Sequence, residues 1–203
     1  MTLLAVSKDV PAERLSAAVG AGLSLLGENR VQEAADKMPR VPGARWHLVG
    51  HLQSNKVGRA VELFEAVHSV DSLDLARRID RLREPAGGPR YPVYLQVNVD
   101  ADRAKQGFAP DELASALPDI VALEHLDVLG LMTVGRLVTD RGMARPTFVR
   151  LRELSTRLRE REPTLGASLS MGMSDDFDVA VEEGATIVRV GRAIFGERPT
   201  DRR

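Results

Sequence analysis

Short apolar runs alternate with amphipathic segments along the whole chain of 203 residues. The short runs are bounded by turn residues, which is typical of strands buried on both faces of a sheet. These predicted strands cover residues 3–8, 25–28, 45–50, 66–70, 91–98, 126–133, 167–172 and 186–190. The amphipathic segments predict helices at residues 11–20, 31–38, 54–64, 73–82, 111 into the 120s, 146–160 and 174–183. Strand followed by helix is therefore the repeating unit of this chain.

About eight such units with short connections predict a parallel sheet with helical crossovers. Eight units in about 200 residues match the compact end of the (β/α)8, or TIM-like, barrel, and we expect a single domain over residues 1–203. The segment at 84–90, EPAGGPR, makes a surface loop as readily as a domain boundary. A doubly wound open sheet is the alternative fold, although no glycine-rich dinucleotide turn follows the first strand.

A barrel brings the carboxyl ends of all its strands to one face, where barrel enzymes place their sites. We therefore expect a set of strand-end residues to gather there. They are Lys8, Asn29, Gly50, Asn98, Thr133, Gly172 and Val190.

Lys8 ends the first predicted strand, in the run LLAVSK. Removing an ammonium group from water is costly unless the group is paired or neutralised. One resolution is that the amine sheds its proton and becomes a nucleophile toward carbonyl compounds. The alternative is that Lys8 lies just past the strand in solvent, as most lysines do.

Lysine is scarce in this chain, and this scarcity favours a chemical role for Lys8. Only four of the 28 basic residues are lysines, and the others are arginines. The four are Lys8, Lys37, Lys56 and Lys105. Arginine serves for surface charge but does not form an imine under ordinary conditions, so each lysine that is present is a candidate for chemistry.

Two segments near the C-terminus have the pattern of phosphate-binding loops. Ser174 stands where a strand gives way to a helix in SMGMSDD, and Gly191 ends the last strand in VRVGRAIFG. Barrels often bind phosphate after their seventh and eighth strands, where backbone N–H groups point at the anion. Read alone, Ser174 is a plain helix cap and Gly191 a turn residue.

Arg189 lies inside the last strand and points either into the barrel mouth or toward a carboxylate in the helical layer.

Composition excludes several other classes of protein. The net charge is −1 with both signs interspersed, which gives no indication of a nucleic-acid or membrane surface. The absence of cysteine excludes disulfides and thiolate metal sites. His47 and His51 have the spacing of a metal pair on a helix, but His47 falls on a predicted strand, so we expect no metal site. No apolar run is long enough to span a bilayer, and we expect a cytoplasmic protein.

Eight motifs, in family order and across almost the whole chain, resemble those of the pyridoxal phosphate homeostasis proteins, an alanine racemase N-terminal-domain-like family. They are AVSK (5–8), LGENRVQE (26–33), WHLVGHLQSNK (46–56), HSVD (68–71), LQVNVD with KQGF (95–100 and 105–108), GLMT (130–133), LSMGMSDDF (169–177) and VRVGRAIFG (188–196). Family members usually carry a helix before the first strand, whereas this chain starts almost on that strand.

The resemblance implies a fold type III barrel that binds pyridoxal 5′-phosphate (PLP). It implies that Lys8 carries the cofactor as a reversible Schiff base, that Ser174 and the backbone around Gly191 and Arg192 hold the phosphate, and that Asn29 is a lesser candidate for the site. Arg189 would approach the pyridine nitrogen. Because a guanidinium does not readily give up a proton, the ring nitrogen would stay unprotonated and the cofactor would be a poor electron sink.

The resemblance favours a non-catalytic carrier or regulator of PLP, with apo PLP-dependent enzymes as partners and a monomeric state. Related racemases use a tyrosine from an added domain as a second base, and the only tyrosines here are Tyr91 and Tyr94 on the fifth predicted strand. The alternatives are a weak PLP-dependent amino-acid racemase, another single-base PLP enzyme, and an aldolase-like barrel that uses a Schiff base without PLP.

Overall fold

Eight parallel strands close into a barrel in the computed structural model, which describes residues 1–84, 88–135 and 141–196. Each strand pairs with its neighbours in chain order, and β1 closes the barrel by pairing with β8. The strands are Thr2–Val6 (β1), Leu25–Glu28 (β2), Arg45–Leu48 (β3), Ala66–Val70 (β4), Tyr91–Gln96 (β5), Leu126–Met132 (β6), Ser168–Ser170 (β7) and Ile187–Val190 (β8). The predicted (β/α)8 barrel is confirmed, and the open doubly wound sheet is wrong.

Helices follow the strands and form the outer layer. They are Ala12–Gly20 (α1), Val31–Lys37 (α2), Val57–Leu63 (α3), Leu73–Arg83 (α4), Pro110–Val121 (α5), Arg145–Arg161 (α6), Phe177–Glu182 (α7) and Arg192–Phe195 (α8). Short 3-10 turns at Met38–Arg40, Ser54–Lys56 and Arg141–Ala144 extend the ends of three of them. None of the helices in the described parts of the chain has the length and apolar character that crossing a bilayer requires.

Strand alternation separates the barrel interior from the layer between sheet and helices. In β8, Val188 and Val190 pack into the large outer cluster, whereas Ile187 joins Leu4, Tyr94 and Met132 in a small inner cluster. Arg189 therefore shares the inward face of β8 with Ile187, and it lies in register with Leu4 of β1. Its side chain points into the barrel, which settles one of the two orientations that alternation allowed.

Several predicted strands are too long at their carboxyl ends. The first strand ends at Val6 and not at Lys8, the third at Leu48 and not at residue 50, and the fifth at Gln96 and not at residue 98. Backbone pairing continues for one residue past each of these strands, because the N–H groups of Ser7, Val49 and Val97 donate to carbonyls of the neighbouring strands, and the chain then turns into its loop. β2 and β4 have the predicted bounds. The interpretation of residues 1–203 as one domain stays a prediction, and the predicted loop at 84–90 lies partly outside the described residues.

Candidate functional site

Lys8 lies in the turn between β1 and α1, two residues beyond the end of the strand, and is partly buried. The preceding residue still belongs to the barrel, because Ser7 N–H donates to the carbonyl of Gly27 across 2.8 Å. The chain then turns sharply at Asp9, whose φ is 60°. The expectation of a lysine at the very end of a strand is corrected: its position is fixed by a turn.

Lys8 lines a cavity of about 40 Å³ together with Gly191 and Arg192. Val6 and Phe195 form apolar walls of the same cavity. Lys8 thus lies beside Gly191 and Arg192, which are about 180 positions away in sequence and were predicted to share its site.

A buried ionic network holds the turn that carries Lys8. Glu28 has no exposed surface, and its carboxylate accepts hydrogen bonds from the Ser7 hydroxyl and from Lys37 Nζ, both across 2.8 Å. Lys37 Nζ also donates to the carbonyl of Ser7 at 2.7 Å. Burial raises the pKa of Glu28, and the hydrogen bond from Lys37 opposes that rise. The residue next to Lys8 is thereby fixed from both its backbone and its side chain.

Ser174 lies on the loop after β7 and contacts Gly191, which lines the cavity beside Lys8. Its hydroxyl accepts hydrogen bonds from the backbone N–H groups of Gly191 and Ala193, across 3.3 and 3.4 Å. Ser174 does not begin a helix as predicted, because the turn before α7 is made by Asp176, whose carboxylate accepts from Met173 N–H at 2.6 Å. The Ser174 hydroxyl does not cap α7 but contacts N–H groups at the start of α8. Two N–H donors and one hydroxyl therefore lie close together.

Gly191 permits the close approach of this point to the first strand. A Cβ at Gly191 would lie 3.0 Å from the carbonyl oxygen of Val6 and 3.4 Å from its Cβ. The Arg192 side chain is exposed and forms an ion pair with Asp175. The Arg192 guanidinium is therefore engaged elsewhere, and the converging donors are the N–H groups of Gly191 and Ala193 on either side of it. The role of Arg192 in holding a phosphate stays a prediction.

Arg189 lies at the level of the strand ends in the barrel interior and is 5% exposed. Its Nη1 donates to the carbonyl and the hydroxyl of Ser170, across 2.6 and 3.0 Å, and its Nη2 donates to the carbonyl of Thr133 across 2.7 Å. Both carbonyls stand at the carboxyl ends of their strands, so the guanidinium faces the mouth. The alternative of a salt bridge in the helical layer is wrong.

The positive charge of Arg189 interacts with the carboxylate of Asp176 without direct contact. Burial lowers the pKa of Arg189 to about 10, so the group is still protonated at neutral pH, and the nearby Asp176 opposes this effect. Asp176 is 3% exposed, and burial raises its pKa. Within the described ranges no carboxylate lies within 4.0 Å of Arg189. The result is a fixed cation in a poorly solvated site.

Asn29 lies on the same rim but borders a different cavity. That cavity has a volume of about 370 Å³ and is also lined by His51, Gln53 and Lys56. The loops after β2 and β3 touch here, since a Cβ at Gly50 would lie 2.2 Å from the carbonyl oxygen of Asn29. The structure therefore places Asn29 at the edge of the mouth and not in the cavity beside Lys8.

The two tyrosines lie away from this mouth. The Tyr91 hydroxyl donates to the carbonyl of Phe64 at 2.8 Å, and the Tyr94 hydroxyl lies 3.3 Å from the hydroxyl of Ser168, at the start of β7. Burial raises the pKa of both hydroxyl groups. Neither hydroxyl faces Lys8 as a second base would.

The polar residues inside the barrel were not predicted from the sequence. His47 and His68 were given no role, yet His47 Nδ1 lies 3.0 Å from His68 Nε2, and His68 Nδ1 lies 2.9 Å from the Ser170 hydroxyl. Their inward positions on β3 and β4 were a usable signal, because strands alternate. Glu28 and Lys37 were also missed as a pair. In the described ranges no group of three His, Asp or Glu side chains is placed to hold a metal ion.

The arrangement combines an amine in a fixed turn, a set of N–H and O–H donors suited to an anion, and a buried guanidinium suited to a neutral acceptor. Chemically, an amine can add to a carbonyl group, N–H and O–H donors can bind an anion, and a guanidinium can donate a hydrogen bond to a neutral acceptor.

A family model, curated relatives and solved structures all match this chain over nearly its whole length. The alanine racemase N-terminal domain family matches residues 2–199. A pyridoxal phosphate homeostasis protein of Pseudomonas aeruginosa is 44% identical over 199 residues, which is 97% of this chain and 84% of that protein. Solved structures of PipY from Synechococcus elongatus, without PLP and with PLP bound, align with TM-scores of 0.91 and 0.89 at 41% and 39% identity. They cover 97% of this chain and 93% and 92% of those chains.

Proposed function

Because this chain belongs to the pyridoxal phosphate homeostasis protein family, we propose that it binds PLP reversibly through Lys8 and serves as a carrier that buffers the free cofactor. The observation that carries the proposal is the convergence of Lys8 with Gly191 and Arg192 around one cavity, beside the Ser174 hydroxyl. The relative PipY, whose structure has been solved with PLP bound, supports the choice of cofactor.

Lys8 supplies the covalent attachment. Its amine adds to the aldehyde carbon of the cofactor, forms a C=N bond and releases one water molecule, and hydrolysis with one water reverses the step. No oxidant or reductant is consumed, so attachment and release are balanced and reversible. The Glu28–Lys37 network holds Ser7 and thus fixes where the amine emerges.

The residues around Ser174 fit the phosphate. The hydrogen bonds that Gly191 and Ala193 N–H make to the Ser174 hydroxyl are long, at 3.3 and 3.4 Å, and a phosphate oxygen is a stronger acceptor than a hydroxyl. A Cβ at Gly191 would approach Val6, on the wall of the cavity beside Lys8, so glycine keeps this side of the cavity open. The two N–H groups can therefore give up their long hydrogen bonds to the hydroxyl and donate, together with the hydroxyl, to an anion.

Arg189 explains why binding need not lead to catalysis. The cofactor, when bound, supplies an aldehyde and an aromatic ring that withdraws electrons when its nitrogen is protonated. Arg189 is held as a hydrogen-bond donor by three acceptors, and a guanidinium keeps its protons at neutral pH. The ring nitrogen facing it would stay unprotonated, and the described residues offer no tyrosine at the mouth as a second base. These features support a non-catalytic role.

The carrier has two direct tests. First, addition of PLP to the apo protein should produce an absorption band in the visible region that borohydride bleaches. A barrel that forms Schiff bases without PLP would give no such band, which separates it from the proposal. Second, the loaded protein should activate an apo PLP-dependent enzyme at a rate that rises with the concentration of the loaded carrier. Failure to exchange the cofactor in either direction would contradict the carrier role.

The racemase alternative has a separate test. Exchange of deuterium into Cα of free amino acids, abolished by Lys8→Ala, would support a single-base enzyme. Apo enzymes as partners, the monomeric state and the cytoplasmic location stay predictions.

A further inference from the structure

Polar side chains form a continuous series through the interior of the barrel, where bulky aliphatic residues are usual. His47 on β3 contacts His68 on β4, His68 contacts Ser170 on β7, and Ser170 contacts Arg189 on β8. The three contacts measure 3.0, 2.9 and 3.0 Å. His47 borders a cavity of about 540 Å³ at the start of the strands, whereas Arg189 faces the mouth. The series thus joins the two ends of the barrel.

The direction of these hydrogen bonds follows from the groups involved. Arg189 can only donate, so the Ser170 oxygen accepts from it. The hydroxyl proton of Ser170 then has the Nδ1 of His68 as its partner, because leaving it unpaired in this buried place would be costly. His68 must therefore carry its own proton on Nε2 and donate it to Nδ1 of His47.

Both histidines are neutral in this arrangement, as the direction requires. Burial lowers the pKa of His68 well below its usual value, and the adjacent His47 and Arg189 lower it further. Burial also lowers the pKa of His47, to about 4. The Tyr94 ring stacks on His68 with the ring centres 4.2 Å apart, which restricts rotation of the imidazole. His68 is therefore a fixed acceptor for the Ser170 proton.

We propose that His68 is a positioning residue, which orients the Ser170 hydroxyl as an acceptor so that Arg189 presents its guanidinium to the pyridine nitrogen of the cofactor. This inference rests on the proposed function. The immediate consequence concerns selectivity. When Arg189 is correctly placed, a ligand whose ring nitrogen accepts its hydrogen bond binds more tightly. When that placement is lost, this gain in affinity is lost, while the attachment at Lys8 and the phosphate contacts persist.

The test compares His68→Leu with His68→Asn, two side chains of nearly the same shape. Asparagine can place an oxygen near the position of Nδ1 and accept from Ser170, whereas leucine cannot. Binding is measured with PLP and with its analogue in which CH replaces the ring nitrogen. We expect wild type to prefer PLP by about tenfold, the effect of one hydrogen bond to a charged group. His68→Leu should lose this preference, and His68→Asn should keep most of it.

A purely structural role for His68 gives a different result, since both variants would then weaken binding of the two ligands by the same factor and leave the preference unchanged. That result would overturn the proposal. Ser170→Ala, a smaller change, should also lose the preference and replaces His68→Leu if the latter does not fold.

A measurement on the apo protein tests the inference independently of the cofactor. The 15N chemical shifts of the His68 ring should show a bare Nδ1 and a protonated Nε2 at pH 7. A proton on Nδ1 would reverse the assigned direction and overturn the proposal. If wild type binds neither ligand, the proposed function fails, and the ring-nitrogen shifts still decide whether His68 orients Ser170.

Discussion

Lys37 reaches Glu28 across 2.8 Å, and the carboxylate that it contacts is completely buried. A buried carboxylate is tolerated when a cation and further donors satisfy it, and is strongly destabilising when its partner is removed. Here the Ser7 hydroxyl supplies the second donor. This pair therefore couples the stability of the barrel to the position of the turn that carries Lys8.

We expect Lys37→Met to lower the free energy of unfolding by about 3 kcal/mol at pH 7, because it leaves Glu28 charged and unpaired. Burial already raises the pKa of Glu28, and loss of Lys37 should raise it further. A carboxyl group with a raised pKa in the folded state stabilises at low pH, and this stabilisation is lost as pH rises through that pKa. The deficit should therefore shrink as the pH falls from 7 toward 5.

Urea unfolding at several pH values measures this effect. The matched control is the double variant Glu28→Gln with Lys37→Met, which removes both charges and should be less destabilised than the single variant. A single Lys37→Met variant as stable as wild type at pH 7 would contradict the assigned role of the pair.

Ser174→Ala should weaken binding of PLP by about tenfold, because the variant loses one hydrogen bond to a charged phosphate. Binding of pyridoxal, which has the aldehyde but no phosphate, should change little. Absorbance titration with both ligands measures the two affinities. Equal loss for both ligands would show that Ser174 acts on the attachment at Lys8 and not on the phosphate.

Gly191→Ala should weaken PLP binding by about tenfold or more, since the added Cβ lies 3.0 Å from the Val6 carbonyl oxygen and must push α8 away from β1. Gly58→Ala in α3 is the matched control, because a Cβ there meets nothing within 4 Å. It should raise stability by about 0.5–1 kcal/mol and leave binding unchanged. Unaltered PLP affinity in Gly191→Ala would exclude a close approach of the ligand at this point.

His47 should make the protein less stable in mild acid. Burial lowers its pKa in the folded state to about 4, from 6.5 in the unfolded chain. The unfolded chain thus binds more protons between these values, and stability falls as pH decreases from about 6.5 to 4. Because His47 is partly exposed, we expect a loss on the order of 2 kcal/mol over this range.

His47→Gln tests this contribution and leaves Glu28, with its opposite trend, in place. The variant also loses the effect by which His47 lowers the pKa of His68, and this loss flattens the profile further. Guanidinium unfolding across the same pH range should give a flatter profile for the variant. Parallel profiles for the two proteins would contradict the neutral state assigned to His47.

The sequence predicted the barrel because strand and helix periods alternate clearly, and β2 and β4 have the predicted bounds because breakers stand at both of their ends. Strand alternation gave two orientations for Arg189 and could not choose between them, since the choice depends on closure of β8 against β1. Ser174 was predicted to begin a helix, but a short hydroxyl can also reach N–H groups that are distant in sequence.

The interior pairs were beyond sequence analysis for a related reason. His47, His68 and Ser170 meet because of the register among strands around a closed barrel, and residue spacing carries no information on that register. Glu28 and Lys37 are nine positions apart and were separated by the predicted boundary between strand and helix.

Borohydride reduction of the PLP-loaded protein, followed by intact mass and peptide mapping, locates the covalent attachment. We expect the mass of one pyridoxyl phosphate group on the fragment that contains Lys8, and its absence from Lys8→Arg. The same mass on a fragment that contains Lys37, Lys56 or Lys105, or no added mass at all, would contradict attachment at Lys8.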